Sequence, residues 1–318
     1  MRRNASQVKT VWVARKLLPP AHTNACRIVW FYAVGLGVYH VVALLALIPW
    51  FFSWTGVALA LAGSYVFGTL GLNIYYHRLL THRGLTCAPW LGRVLAVLAV
   101  CNLQDTPAHW VAVHRRHHEH ADDQPDPHSP LVNFFWGHVG WLLIENEDLR
   151  QIDIYRYAKD VLRDPFLRAL EKTQYLLVLA SRAVFFFGGF LAGLASGDTT
   201  EEATRLALSA LVWGVFVRTV LVWHVTWSVN SLSHLWGYRN HETGENSRNN
   251  VIVALLSNGE GWHNNHHADP RSAKHGHRWW ELDGSYATIW ALAQVGLVRQ
   301  VVMPDPRRTT ASNRAGRG

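Results

Sequence analysis

Residues 28–52 read IVWFYAVGLGVYHVVALLALIPWFF and contain no Asp, Glu, Lys or Arg. A helix needs about 20 mainly apolar residues to cross a bilayer. Three further segments meet this requirement, at residues 54–76, 174–197 and 203–229. Because these segments are long and lack a polar face, a soluble helical bundle is disfavoured. We therefore predict an all-α integral membrane protein with four transmembrane helices arranged as two hairpins.

The distribution of charge orients these hairpins. Basic residues precede the first span, and the middle segment and the C-terminal tail are rich in Arg, whereas the loop GDTTEEATR between spans three and four is mainly acidic. The positive-inside rule then places both termini and the middle segment in the cytoplasm. The net charge of +8 suits a membrane surface, so no nucleic-acid partner is expected. We predict one membrane domain, residues 1–318, with a disordered tail at 304–318.

Nine of the 19 histidines fall into four groups on the predicted cytosolic side. His40 and His224 instead lie within spans, where we expect packed or hydrogen-bonded side chains. The four groups are HRLLTH with His77 and His82, HRRHH with His114, His117 and His118, NSLSH with Asn230 and His234, and HNNHH with His263, His266 and His267.

The spacing within these groups indicates metal binding. Side chains three or four residues apart share one helix face, which applies to HRRHH, to HNNHH and to Asn230 with His234. His77 and His82 are about 140° apart on an ideal helix. They converge only if the helix ends or distorts there, unless they serve two neighbouring metals. Neutral imidazole binds Fe, Zn, Cu or Ni, and nine histidines exceed one coordination shell. The sequence thus predicts two metals in a cytosolic helical cap.

These motifs resemble the histidine boxes of the integral-membrane fatty acyl desaturases, especially the stearoyl-CoA desaturase-like Δ9 group. The resemblance covers about residues 60–290 and includes DPHSP, GHVGW, HLWGYR and GEGWHNNHH. It implies a non-haem di-iron centre with the nine histidines as ligands, and with Asn230 reaching iron through water. Glu260 and Asp269 would orient imidazoles or shape turns.

The resemblance also implies the reaction. Hydrogen is removed from one methylene and then from its neighbour, and O₂ leaves as water. Because O₂ takes four electrons and the substrate supplies two, two more must come from outside. The chain has no haem-attachment motif and no ferredoxin-like cysteine set. We therefore expect a separate electron donor of the ferredoxin, rubredoxin or cytochrome b5 type, besides a fatty acyl substrate and membrane lipid as partners.

A kinked tunnel sets the double-bond position in the Δ9 acyl-CoA members, and its bend is shaped by a Gln, a Trp and a Thr. Matched from the boxes, these residues are Gln104, ten before His114, Trp110, four before it, and Thr226, four before Asn230. The resemblance therefore implies that this chain introduces a cis-Δ9 double bond.

The head-group end departs from the family pattern. Glu145, Asn146, Glu147 and Asp148 follow GWLLI, where the acyl-CoA enzymes carry Arg and Lys that hold the CoA phosphates. Ala112 stands where those enzymes have an Arg just before the second box. Because carboxylates repel phosphate unless a cation intervenes, these residues favour a membrane glycerolipid or a carrier-protein thioester over CoA.

Two other functions remain open at this level. Histidine-box hydroxylases and acetylene-forming enzymes share the boxes, although the bend residues and the three-histidine second box favour desaturation. A metal transporter would place polar ligands near the bilayer midplane on broken helices. Nearly all the grouped histidines lie outside the predicted spans, which disfavours a transporter.

Overall fold

The computed structural model describes residues 16–305, which are mainly helical. The basic residues before Lys16, and the predicted tail from residue 306 onward, lie outside the described residues. The helices are α1 (Trp30–Leu44), α2 (Trp54–Gly63), α3 (Pro89–Val100), α4 (Pro107–His120), α5 (Trp141–Leu143), α6 (Glu147–Arg150), α7 (Ile154–Leu162), α8 (Pro165–Ala195), α9 (Thr200–Leu211), α10 (Arg218–Leu235), α11 (Val251–Leu256), α12 (His263–Ala268) and α13 (Gly284–Gln294).

Short strands and non-α helical segments complete the architecture. The π-helical segments, in which hydrogen bonds join residues five apart, are Ser64–Thr81, Trp136–Gly140 and Val212–Val217. Short 3₁₀ turns occupy Leu45–Leu47 and Pro49–Phe51. The strands are β1 (Thr23–Ile28), β2 (Thr86–Cys87), β3 (Ile144–Asn146) and β4 (Val298–Arg299), and the pairs β1–β3 and β2–β4 are antiparallel.

Within residues 16–305, four helical stretches are long and apolar enough to cross a membrane, and each overlaps one predicted span. They are Trp30–Leu47, Trp54–Thr81, Pro165–Ala195 and Thr200–Leu235. The chain is thus an all-α integral membrane protein, as predicted. The second stretch joins α2 to a π-helical segment, and the fourth joins α9 to α10 through another.

Some of the spans begin or end at residues other than those predicted from the apolar segments, for identifiable reasons. Ile48 is extended because it precedes Pro49 and the α conformation is disfavoured there, so the first helix ends before residue 52. The third span, α8, begins at Pro165, nine residues before the predicted segment. Asp164 caps it by accepting the backbone N–H of Phe166 at 2.8 Å. Charged residues in its first turns, such as Arg168, interrupt the apolar run and hide this start.

Exposure separates outer from inner helices. α1 and α8 carry rows of exposed large apolar side chains, including Phe31 and Val38 on α1 and Leu179 and Phe187 on α8. Such surfaces suit contact with lipid. α10 carries several fully or almost fully buried side chains, among them Trp223, and therefore lies inside the bundle. This arrangement brings the C-terminal end of α10 to the histidines.

A helical cap covers one end of the bundle and is held by buried charges. Arg78, at the end of the second span, is fully buried. Its guanidinium binds Glu260 at 2.8 Å and Asp283 at 3.0 Å. Charges removed from water are tolerated only when they are paired and hydrogen-bonded. This network therefore fixes the loop before α12 against the second span.

Candidate metal centre

The π-helical end of the second span brings His77 and His82 together. The backbone N–H of His82 donates to the carbonyl oxygen of His77 at 3.2 Å, a bond between residues five apart. Their ring centroids are 4.8 Å apart. An ideal α-helix would point these rings in different directions. The distortion required by the sequence prediction is thus present, and it extends through Ser64–Thr81.

The first cluster of candidate ligands, group one, contains five histidines from three elements. Their ligand nitrogens lie within 4.8 Å of one another. His266 Nε2 lies 3.1 Å from His77 Nε2 and 2.9 Å from His118 Nε2. Five converging imidazoles can hold one transition-metal ion. The members of group one are His77, His82, His114, His118 and His266.

The second cluster, group two, contains the other four predicted histidines, and its ligand nitrogens also lie within 4.8 Å of one another. His267 Nε2 and His263 Nε2 are 3.1 Å apart. The two groups are neighbours, because the rings of His118 in group one and His267 in group two stack with centroids 4.5 Å apart. The members of group two are His117, His234, His263 and His267.

Carboxylates orient three of these rings from behind. Glu260 Oε2 lies 2.6 Å from His77 Nδ1, Asp126 Oδ1 lies 3.0 Å from His117 Nδ1, and Asp122 Oδ2 lies 2.7 Å from His234 Nδ1. Such contacts fix the proton on Nδ1 and leave the Nε2 lone pair for a metal. The sequence suggested this role for Glu260. Asp269, the other suggested residue, accepts a backbone N–H from Asp305 at 2.9 Å.

Two glycines allow Glu260 to reach His77. Gly259 has φ +114°, a left-handed conformation that favours glycine. A Cβ on Gly261 would lie 2.1 Å from the backbone nitrogen of Ala254. The sequence GEG therefore lets the chain turn sharply and pass close to α11 while it carries Glu260 into the centre.

Burial and crowding favour the neutral form of six imidazoles of the centre. Burial first, and then the neighbouring imidazoles, lower the pKa of each ring well below its ordinary value. The neutral ring has the lone pair that binds a metal. The rings with this shift are those of His82, His114, His118, His263, His266 and His267.

The carboxylates of the centre are ionised for a different reason. Burial opposes ionisation of Glu260, but Arg78 first, and then His275 and His77, keep its pKa well below the ordinary value. A carboxylate that accepts a hydrogen bond from the imidazole N–H increases the basicity of that ligand.

Orphaned nitrogens provide a direct test of whether this donor set fits two metals. Among the described residues, the buried Nε2 atoms of His82, His117 and His234 have no hydrogen-bonding partner. Buried polar atoms without a partner are unfavourable and call for an explanation such as a bound ion. Because these nitrogens belong to groups one and two, the residues fit a pair of imidazole-bound metal ions.

The predicted tunnel residues line one cavity together with histidines of both groups and Asn230. Gln104 Nε2 donates to Thr226 Oγ1 at 3.0 Å, which joins the loop before α4 to α10. Trp110 stacks on His114 with ring centroids 5.1 Å apart. The cavity therefore places an apolar wall directly beside group one.

The sequence patterns do not identify several residues that lie around the centre. Asp122 and Asp126 follow the second box, and only Asp126 lies in a motif of the resemblance. His128 packs on His117, with centroids 4.4 Å apart. Glu245 and His275 come from irregular loops, where no periodic pattern identifies them. His275 lies against the centre with Nδ1 at 3.3 Å from Glu260 Oε2.

The histidines within the spans have other partners. His40 Nε2 and His224 Nε2 are 3.0 Å apart, and His224 Nδ1 lies 3.0 Å from His138 Nε2. These contacts fit the prediction that His40 and His224 are hydrogen-bonded residues.

Comparison with known proteins identifies the family. The fatty acid desaturase family model matches residues 49–297. The chain belongs to the fatty acid desaturase family. It is therefore an oxidoreductase that acts on fatty acyl chains, as the histidine boxes indicated.

Curated relatives of this desaturase match it over most of their length. It is 36% identical over 296 residues to an sn-2 palmitoyl-lipid 9-desaturase of Nostoc sp. (strain 36), covering 92% of this chain and 97% of the relative. It is 36% identical over 297 residues to an sn-1 stearoyl-lipid 9-desaturase of Synechocystis sp., covering 93% and 85%. It is also 36% identical over 276 residues to an acyl-CoA C20 Delta5-desaturase of Anemone leveillei, covering 86% and 82%.

Proposed function

We propose that this desaturase uses two irons and O₂ to introduce a cis-Δ9 double bond into a saturated acyl chain carried by a membrane glycerolipid. The observation that carries the proposal is the division of nine histidines into two adjacent groups beside one cavity. The nine histidines would hold the irons, with Asn230 contributing through water. When bound, the irons supply the oxygen chemistry that unactivated methylenes require.

The rest of the reaction depends on a partner and on topology. Two electrons and two protons are consumed with each O₂, and the electrons come from a separate protein of the ferredoxin, rubredoxin or cytochrome b5 type. Both termini and the metal centre face the cytoplasm in this proposal. The basic segments that flank the spans support that orientation.

Placement of the double bond at Δ9 is supported by the cavity wall. An acyl chain offers no polar handle along its length, so a shaped cavity must select between adjacent methylenes. The side chains of Gln104 and Thr226 are joined by a hydrogen bond across the cavity wall, and the indole of Trp110 lies against group one. Two relatives named as lipid 9-desaturases support the same position.

The first prediction concerns this wall. Native protein should yield mainly cis-Δ9 products, and Trp110→Ala should give a broadened mixture or weak activity, because the chain can then slide beside the metals. A change of about 1.4 kcal/mol between two positions alters their ratio about tenfold. Gas chromatography of derivatised fatty acids locates the bonds. A native product at another position, or no effect of Trp110→Ala, would contradict the assignment of the wall.

The carrier is argued from charges at the head-group end. Glu145 binds Arg27 at 3.0 Å and also pairs with Arg150. Arg116 donates to the backbone carbonyl of Asp148 at 2.5 Å. The pairing of Arg27 and Arg150 with a carboxylate reduces their ability to hold the phosphates of CoA. A membrane glycerolipid needs no such clamp, because the bilayer already holds it beside the enzyme.

The second prediction tests the carrier. Purified enzyme with a reducing partner should desaturate phospholipid-borne stearate in preference to stearoyl-CoA when both are offered in parallel. Glu145→Gln removes the charge that pairs with Arg27 and Arg150, and it should raise the use of stearoyl-CoA relative to wild type. A strong, salt-sensitive preference of the wild type for stearoyl-CoA would refute the glycerolipid assignment.

A further inference from the structure

The cavity wall carries a polar cluster, here called the mouth cluster, which consists of Tyr32, Asp105 and His109. The hydroxyl of Tyr32 donates to Asp105 Oδ1 at 3.0 Å. His109 Nδ1 lies 3.2 Å from Asp105 Oδ2. All three residues line the cavity that also touches His114 and Trp110. None of the three belongs to the metal groups, so their role there is unassigned.

The mouth cluster lies where the cavity approaches the surface. The side chains of His109 and Asp105 are 23% and 25% exposed. Elsewhere on the same cavity, Leu72 and Trp223 are 1% and 2% exposed. A chain that enters this cavity with its apolar end first therefore leaves its polar end at the mouth cluster.

The backbone beside Gln104 is strained in a way that presents this cluster. Leu103 has φ +53° and Asp105 has φ +66°, both in the left-handed region. Non-glycine residues rarely adopt this conformation, and it persists where the surrounding structure imposes it, often at ligand sites. The strained segment holds Gln104 in its hydrogen bond with Thr226 and places Asp105 in the mouth cluster.

The charge of Asp105 favours the protonated form of His109. Burial opposes protonation of this imidazole, but the charge of Asp105 and the hydrogen bond to it outweigh burial and raise the pKa of His109 above its ordinary value. A protonated imidazole donates from both nitrogens. With Nδ1 in an ion pair with Asp105 at 3.2 Å, the protonated ring can offer Nε2–H to an acceptor oxygen.

We propose that the mouth cluster is a binding subsite for the carbonyl oxygen of the substrate ester, with His109 as the donor and Asp105 and Tyr32 as its positioning residues. This inference rests on the proposed function. The subsite fixes C1 of the acyl chain, and the enzyme thereby measures the double-bond position from the carbonyl.

Distances along α4 agree with this assignment. His109 and His114 are five residues apart, about 7.5 Å along the axis at about 1.5 Å per residue. The metal itself lies about 2 Å beyond a ligating imidazole nitrogen. In an extended chain, C1 and C9 are separated by eight bonds, about 10 Å at roughly 1.2 Å per bond. A carbonyl held at His109 thus brings C9 to the neighbourhood of group one.

A pair of matched lipids tests the subsite. The full-length protein, reconstituted in vesicles with iron and a reducing partner, is given a 1-stearoyl glycerolipid or its 1-O-octadecyl ether, which lacks only the carbonyl oxygen. Wild type should prefer the ester at least about tenfold in kcat/KM, because a hydrogen bond from a charged donor is lost with the ether. Products of the ether should spread over neighbouring positions, since C1 is no longer fixed.

Variants of the cluster separate a binding role from a structural one. In His109→Leu and in Tyr32→Phe, the ester-to-ether ratio should fall towards one. His109→Gln retains an N–H donor and should recover part of the preference. A merely structural role would lower both rates together and leave this ratio unchanged. Circular dichroism and thermal unfolding check the fold, and Tyr32→Phe and His109→Gln carry the test if His109→Leu does not fold.

Each outcome decides between the two proposals. An active wild type with a ratio near one, or a folded His109→Leu with the wild-type ratio, overturns the carbonyl subsite and leaves the desaturase proposal standing. Failure of the wild type to desaturate either lipid, while it desaturates stearoyl-CoA or a carrier-protein thioester, overturns the glycerolipid proposal and this inference with it.

Discussion

His266→Ala should abolish desaturation while the four spanning helices stay folded. His266 Nε2 lies between nitrogens of His77 and His118 and is thus central to group one. Its loss removes one ligand and opens a cavity in a buried site. α12 lies in the cap, so the spans do not depend on it. Product formation falls below detection in lipid analysis, whereas circular dichroism still shows the helix content of the wild type.

His120, at the end of α4 and outside the two groups, provides the control. The side chain of His120 is 31% exposed, and its nearest carboxylate oxygen, on Glu119, is 3.8 Å away. His120→Ala should keep wild-type activity and metal content. If His266→Ala retained wild-type activity, HNNHH would have no place in the metal centre.

Substitutions of the supporting carboxylates should have separate effects on the two metals. Glu260→Gln removes the charge behind His77 in group one, and Asp122→Asn removes the charge behind His234 in group two. Loss of such a partner typically lowers metal affinity or activity by about 10–100-fold. We expect each variant to bind one metal normally and the other weakly. Metal content measured against the free iron concentration would show this as a single weakened step.

The matched control is a carboxylate with comparable partners but no contact with the groups. Glu119 binds Arg156 at 2.5 Å and accepts a hydrogen bond from Tyr157 at 2.5 Å, and its side chain is 38% exposed. Glu119→Gln should leave both metals bound, since an exposed ion pair contributes little to stability. Equal and simultaneous loss of both metals in Glu260→Gln and in Asp122→Asn would contradict the division into two groups.

Local patterns explain what the sequence could predict. A run of apolar residues such as 28–52 identifies a span without reference to the rest of the chain, because the bilayer imposes a minimum length. Spacings of three and four residues likewise place HRRHH on one helix face. The prediction that the four boxes lie together in one site relied on the family resemblance, because no local pattern indicates that His77 is close to His266.

The remainder of the site depends on contacts between distant parts of the chain. The π-helical segment that brings His77 and His82 together lies where the second span packs under the cap. The spacing of the two residues predicted that the helix must be distorted there, but not which kind of distortion occurs. Asp122 reaches His234 from 112 residues away along the chain. The contact of Tyr32 with Asp105 joins α1 to a strained loop, and neither residue stands out in the sequence.

The metal-to-protein ratio of active enzyme tests whether the two histidine groups hold two irons. The purified full-length chain is stripped of metal, loaded with ferrous iron under reducing conditions and freed of excess ion. Elemental analysis is then performed on a sample whose activity is measured in parallel. The two histidine groups predict two irons per chain at full activity. A ratio of one or fewer in fully active protein would show that the two groups do not each hold an iron.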